Sequence, residues 1–161
     1  MASFGSTKNG GADVATRFGG YGVATAGSTG DATLVNGPWI DRRDFSWAKV
    51  SVALRAVLGA TNTLSVLGQM QDADNAAGLN AANFGDAVAN AVDLTGQSGG
   101  STETGVIEAD YDLTMARGWI RFNFTPDLNR ANTDTSTAMV MFTLGGGHFH
   151  PKTASLEPSY S

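Results

Sequence analysis

Hydrophobic and polar residues alternate along much of this chain with a period of two. From Trp47 to Leu58, Val50, Val52, Leu54, Ala56 and Leu58 fall on one side, and Ser51, Ala53, Arg55 and Val57 on the other. That period belongs to a strand with one buried face. Valine enrichment and the closing Gly59 favour strand over helix. Thr63 to Gln71 repeats the pattern, with Leu64, Val66 and Met70 inward and Ser65, Gln69 and Gln71 outward. A turn at Gly59-Ala60-Thr61-Asn62 joins the two, and no later stretch can form a core without the segment Ser46 to Asp74.

Further strands follow. Between Thr104 and Thr114, Ile107, Ala109, Tyr111 and Leu113 oppose Glu108, Asp110 and Asp112. Between Trp119 and Thr125, Ile120, Phe122 and Phe124 oppose Arg121 and Asn123. Thr137 to Leu144, TAMVMFTL, is apolar on both faces, as a central or interface strand would be. Loops are predicted at Asp72 to Asn83, Thr95 to Thr104 and Pro126 to Ser136, with a turn at Met115 to Gly118. Phe84 to Leu94 fits helical spacing through Phe84, Val88 and Val92; a short strand in its second half is the reading taken. Several strands separated by turn signals, with no long helix, predict an all-β fold: an antiparallel β-sandwich or jelly roll.

The two ends break the pattern. Nine glycines between Met1 and Gly37 disfavour helix there. Phe4, Val14, Phe18, Tyr21, Val23, Leu34 and Val35 recur through the same stretch, more apolar residues than a purely solvating tail carries. The expected organisation is an extended Gly-rich N-terminal arm at 1–37 that lies on a neighbour, a sandwich domain at 38–147, and a short polar C-terminal tail at 148–161. Phe4, Phe18, Tyr21 and Trp39 in the arm region and Phe149 in the tail are the residues expected to touch a partner.

Composition narrows the function. A chain of 161 residues suits one domain with a real core. It has no cysteine, so disulfides and thiolate sites are excluded. The net charge of −5 is spread along the chain, and Arg42-Arg43 is the only basic pair, which argues against nucleic acid as a partner. No run approaches the ~20 apolar residues that span a bilayer. The N-terminal MASFGSTKNGG lacks the apolar core of a secretory signal, so manufacture in the cytosol as a soluble protein is expected.

Candidate chemistry is thin. Gly96-Gln97-Ser98-Gly99-Gly100 matches G-x-S-x-G, and Asp127 and His148 follow in the hydrolase order. The motif needs a helix after the serine, and Ser-Thr-Glu-Thr-Gly does not start one. His148 and His150 flank Phe149 as two metal ligands sometimes do, without an evident third. Asp72, Asp74 and Asn75 open like a calcium loop, but Ala76, Ala77 and Asn83 stand where its later ligands and glycine belong. Glu108, Asp110 and Asp112 read as a solvated strand face or one that meets a partner's arginines. Trp39, Trp47 and Trp119, with Tyr21 and Tyr111, make carbohydrate binding the competing reading, with core or rim packing the default. Asn123-Phe124-Thr125 is a glycosylation sequon without a secretion signal. No catalytic residue, cofactor or metal is expected, and the chain reads as a non-enzyme.

Two segments carry a resemblance. One is TLSVLGQMQDADN with the Ala/Asn/Gly loop and Phe84 after it; the other is TGVIEADYDLTMARGWIRFNFTPDLN, closed by STAMVMFTLGGG. Together they resemble small structural proteins of tailed bacteriophages encoded among the head genes. In that pattern a strand ends in Gln-Asp-Ser/Ala-Asp. A later strand ends near an Arg, here Arg117, followed by an aromatic and alternating apolar residues, here Trp119, Ile120, Phe122 and Phe124. The last strand ends in Gly-Gly, here Gly145-Gly146. The resemblance covers Lys49 to Gly147 and leaves both ends outside. It implies a β-sandwich or jelly-roll decoration or cement protein on the outer surface of the capsid in the virion. Its partners would be the major capsid protein and its own copies, most often as trimers, with extended termini stitching neighbours. The family has no catalytic residues to carry over. Tail, head–tail connector and adhesion components of a virion are the alternatives.

Overall fold

The computed structural model describes residues 14–130 and 133–146, and every regular element among them is a strand. In chain order these are β1 (Ala15–Thr25), β2 (Val35–Asn36), β3 (Ile40–Asp41), β4 (Trp47–Leu58), β5 (Thr63–Ala73), β6 (Ala82–Asn83), β7 (Val88–Ala89), β8 (Leu94–Thr95), β9 (Ser101–Asp112), β10 (Trp119–Leu128) and β11 (Thr135–Gly145). The first sheet has four antiparallel strands in the order β1-β11-β4-β9. The second is built on the antiparallel pair β10-β5; β2 and β3 flank β10, and β6, β7 and β8 flank β5.

Counting β2 with β3 as one position, and β6 to β8 as another, gives eight positions. The sheets then read 1-8-3-6 and 2-7-4-5. That is the double Greek key of a jelly roll. The predicted all-β sandwich or jelly roll is therefore the observed fold.

Between the sheets lies one core. From the first sheet come Val50, Val52, Leu54, Val140, Phe142 and Leu144; from the second come Leu64, Val66, Met70, Ile120, Phe122 and Phe124, all buried. Two large rings meet small partners, one on the neighbouring strand of its own sheet and one across the core. A Cβ at Gly68 would run into the Phe122 ring, and one at Gly22 would press on Phe124. The polar corner is equally built. Asp134, buried before β11, accepts from the Gly59 amide at 2.9 Å and from Asn62 Nδ2 at 2.7 Å, which ties the β4–β5 turn to the end of the sandwich.

Several expectations are corrected. The arm predicted at 1–37 does not stay outside the sandwich: Ala15–Thr25 is an edge strand paired with β11 from Ala15↔Leu144 to Thr25↔Thr135. The glycines that spoke for an arm serve the core instead, because Gly19 faces Val140 and Phe142, and Gly22 faces Phe124, where a side chain has no room. Gly19 is the extra residue of a bulge between Phe18 and Gly20. The turn at Gly59–Asn62 carries the chain from one sheet to the other and closes no hairpin, since β4 and β5 lie in different sheets. The loop predicted at Thr95 to Thr104 already enters β9 at Ser101, and β10 runs past Pro126 to Leu128. Pro126 fits because its carbonyl accepts from Ala32, so its missing N–H faces that same side and not the β5 ladder. Phe84 to Leu94 holds only the two-residue β7 and the start of β8.

Candidate functional site

The outer face of the first sheet is the feature that burial does not explain. One register row crosses all four strands: Tyr21, Met139, Ala53 and Val106. Its neighbours are Phe18, Met141, Ser51 and Glu108 on one side, and Val23, Thr137, Arg55 and Thr104 on the other. Tyr21 is 56% exposed, Val106 63%, Phe18 52% and Met139 43%. Val57, a further row along on β4, is exposed too. Outward positions of a half-buried strand are ordinarily polar, so a row of large apolar side chains across a sheet marks an interaction surface.

Charge lies at the margins of that row. Lys49 Nζ lies 2.9 Å from Glu108 Oε2. The hydrogen bond and charge of Glu108 push the ammonium up, and those of Lys49 hold the Glu108 carboxyl below its ordinary value. The pair is solvated and adds little stability. Four strands ~4.8 Å apart and ten residues of ~3.3 Å rise give the face roughly 500 Å², against the ~800 Å² that each partner contributes to a standard stable interface. One such contact is weak; many on a symmetric surface are not.

Of the residues expected at a partner contact, Phe18 and Tyr21 are placed together on this face. Trp39 is not with them: it lies against the second sheet, with the Arg121 guanidinium 4.5 Å over its ring. Phe4 and Phe149 lie outside the described residues. Met139, Val106, Val23 and Val57 complete the face without having been singled out. Their signal was present: TAMVMFTL is apolar on both sides, and Val106 puts a large apolar residue at an outward position of β9.

Trp47 and Trp119 do not share one platform. Trp47 opens β4 in the first sheet and lies across Gly145 and Gly146, whereas Trp119 opens β10 in the second with Arg43 5.8 Å from its ring. The G-x-S-x-G segment is an exposed turn between β8 and β9, closed by Gly100 N donating to Gln97 O, and a strand follows it. Its acid, Asp127, sits on β10, and His148 is outside the described residues. The sequon asparagine, Asn123, is buried on β10 and donates to Gln71 Oε1 at 2.9 Å. Among the described residues no three His, Cys, Asp or Glu side chains converge as metal ligands.

Asp72 and Asp74 meet an arginine instead. Arg117 places Nε 3.0 Å and Nη2 2.6 Å from Asp72 Oδ1, its backbone N–H donates to Oδ2 at 2.9 Å, and Nη1 reaches Asp74 Oδ1 at 3.4 Å. The two segments that carry the phage resemblance are joined by this pair. Burial pushes the Asp72 carboxyl up, but the hydrogen bonds and charge of Arg117 outweigh it and hold the group below the usual carboxylate range. A carboxyl lower in the folded than in the unfolded chain stabilises above its unfolded pKa of about 3.9 and loses that contribution as pH falls through the folded value. Asp72→Asn is expected to lose about 1–3 kcal/mol near neutral pH, with the gap to the parent narrowing as pH falls below the unfolded value of about 3.9. Urea midpoints measured across that range check it; a gap that does not change with pH would remove the ion pair as its cause.

No protein-family model and no curated protein matches the sequence. Solved structures do match. The crystal structure of the T13 particle of infectious bursal disease virus aligns with a TM-score of 0.54 at 8% identity, covering 88% of this chain and 33% of that one. A structure of the Gx strain of the same virus gives 0.49 at 9% identity, over 85% of this chain and 34% of that one. Cowpea mosaic virus empty particles give 0.26 at 7% identity, over 85% and 89%. The chain thus spans about a third of the length of the bursal disease virus chains. At such identities the likeness is one of fold, and it closes on the same point as the strand order: this chain has the jelly-roll sandwich found in a chain of the T13 virus particle.

Proposed function

We propose that this chain is a virion structural protein without catalytic activity. In the finer form it decorates or cements the outer surface of a tailed-phage capsid, as the resemblance around Gln71-Asp72-Ala73-Asp74 and Arg117 implies. The observation that carries the reading is the apolar row Tyr21–Met139–Ala53–Val106 across the outer face of a jelly roll. A face too small for a tight isolated complex gains from repetition on a symmetric shell. Its partners in this reading are the major capsid subunits and further copies of the chain, with a trimer the favoured oligomer.

The test is a density-gradient separation of a lysate from producing cells, probed for this chain and for the major capsid protein. Co-migration with DNA-filled heads at a copy number comparable to the capsid subunit is expected. A few copies per particle would place the chain in the tail or connector, and absence from particles would overturn the virion reading.

A further inference from the structure

The edges of the two sheets are not alike. In the second sheet both edges are made of two-residue strands, β2 and β3 on one side and β6 to β8 on the other. In the first sheet β1 carries the bulge at Gly19, and its end is bridged to the returning chain, Thr25 to Gly30. Short strands, bulges and covering segments keep an edge from pairing with another chain. β9 is long and regular instead. It runs 12 residues, STETGVIEADYD, without proline, and keeps its register with β4 from Trp47↔Asp112 to Leu58↔Ser101. Leu113 N–H donates to Ser46 O, so the ladder to β4 uses the odd-numbered residues of β9. Thr102, Thr104, Val106, Glu108 and Asp110 therefore turn their N–H and C=O groups out of the sheet, and none of these groups is bonded among the described residues.

We propose that this edge takes the β9 of a second copy, antiparallel about a two-fold axis at Val106, so that the two four-stranded sheets become one. Charge, shape and area all point to that arrangement. With Val106 opposite its mate, Glu108 faces Thr104 of the second copy, Asp110 faces Thr102 and Asp112 faces Gly100. No acid then lies opposite another, whereas an axis at Glu108 would set that carboxylate against itself. On the inner side Ile107 falls opposite Gly105, which has no side chain to meet it. On the outer side the row Tyr21–Met139–Ala53–Val106 runs on into Val106–Ala53–Met139–Tyr21 of the second copy. Two faces of roughly 500 Å² each together exceed the ~800 Å² that one partner brings to a standard interface. The outward groups of the two strands supply about ten main-chain hydrogen bonds, the number a typical interface carries. An isologous contact of this kind closes at two copies, so it is separate from the trimer favoured above, which needs another surface. It does not depend on what the outer face binds.

Sedimentation equilibrium of the full chain at micromolar to millimolar concentration tests it, with a reversible dimer as the expected result. Thr104→Pro removes an outward N–H and leaves the β4 ladder whole, so it should weaken the dimer about thirtyfold or more while the monomer stays folded. Thr102→Lys, opposite Asp110 of the second copy, should tighten the dimer about fivefold, and Thr102→Asp should weaken it as much. Because the chain has no cysteine, Val106→Cys reports the axis. Its two Cα atoms, about 5.5 Å apart across a hydrogen-bonded pair, are within reach of a disulfide, whereas Asp110→Cys lies about 26 Å from its mate and should not cross-link. A chain that stays monomeric over the whole range would overturn the proposal. So would a dimer that ignores Thr104→Pro and both Thr102 changes, since its contact would lie elsewhere. A dimer in which Asp110→Cys cross-links and Val106→Cys does not would overturn the two-fold register.

Discussion

Phe122→Ala is expected to cost about 3–5 kcal/mol, the range for truncating a fully buried aromatic ring. Phe122 is 1% exposed in the middle of β10, between the two sheets. A domain of this size has roughly 5–15 kcal/mol to lose, so the variant lies close to the limit of folding. The sharper test adds Gly68. A Cβ there meets the Phe122 ring, so Gly68→Ala alone should cost about 1–3 kcal/mol by overpacking. Once the ring is gone, the same methyl enters free space and removes the entropic cost of glycine in a strand. The double variant should therefore be less destabilised than the sum of the singles by at least about 1 kcal/mol. Urea unfolding of the four proteins measures the coupling, and Phe122→Leu takes the place of the alanine variant if that chain does not fold. Strict additivity would mean that ring and glycine do not face one another.

Met139→Glu and Val106→Lys are expected to abolish loading onto particles while leaving the fold alone. Both side chains point out of the first sheet, and exposed substitutions commonly stay within about 0.5 kcal/mol of the parent. At the centre of an apolar contact the same charge must be stripped of water without a partner. A residue at the heart of an interface is worth about 2 kcal/mol or more, so occupancy should fall at least about 30-fold at limiting protein. Leu67→Lys is the control, because Leu67 is 53% exposed on β5 in the second sheet. Loading that survives the first two changes and is lost with Leu67→Lys would move the docking surface to the other side of the sandwich.

How far the chain could be read without its structure varies by segment. Val50 to Leu58 and Ile120 to Phe124 were legible because alternation is a local property. The pleat sends successive side chains to opposite faces, whatever strand lies alongside. Ala15–Thr25 was not, because its inward positions are glycines and carry no hydrophobic signal. They are small because Phe124, Phe142 and Val140 fill the space above them. The outer face was half legible: Phe18 and Tyr21 stood out as aromatics, while Met139 and Val106 passed as strand residues. Only the register of β1, β11, β4 and β9 sets these four side by side.

By itself, then, the sequence determined the all-β class, most of the strands, the buried side of each and the absence of cysteine chemistry. The tertiary structure alone decided who pairs with whom. Ala15 meets Leu144, Thr25 meets Thr135, and Asp72 meets Arg117, while β4 and β5, joined by a short turn, lie in different sheets. Strand pairing between distant segments is a competition among every edge and face in the chain, won by the arrangement that buries all the inward faces in one core. That outcome is not contained in any local window, and the apolar face that carries the proposed function is a product of it.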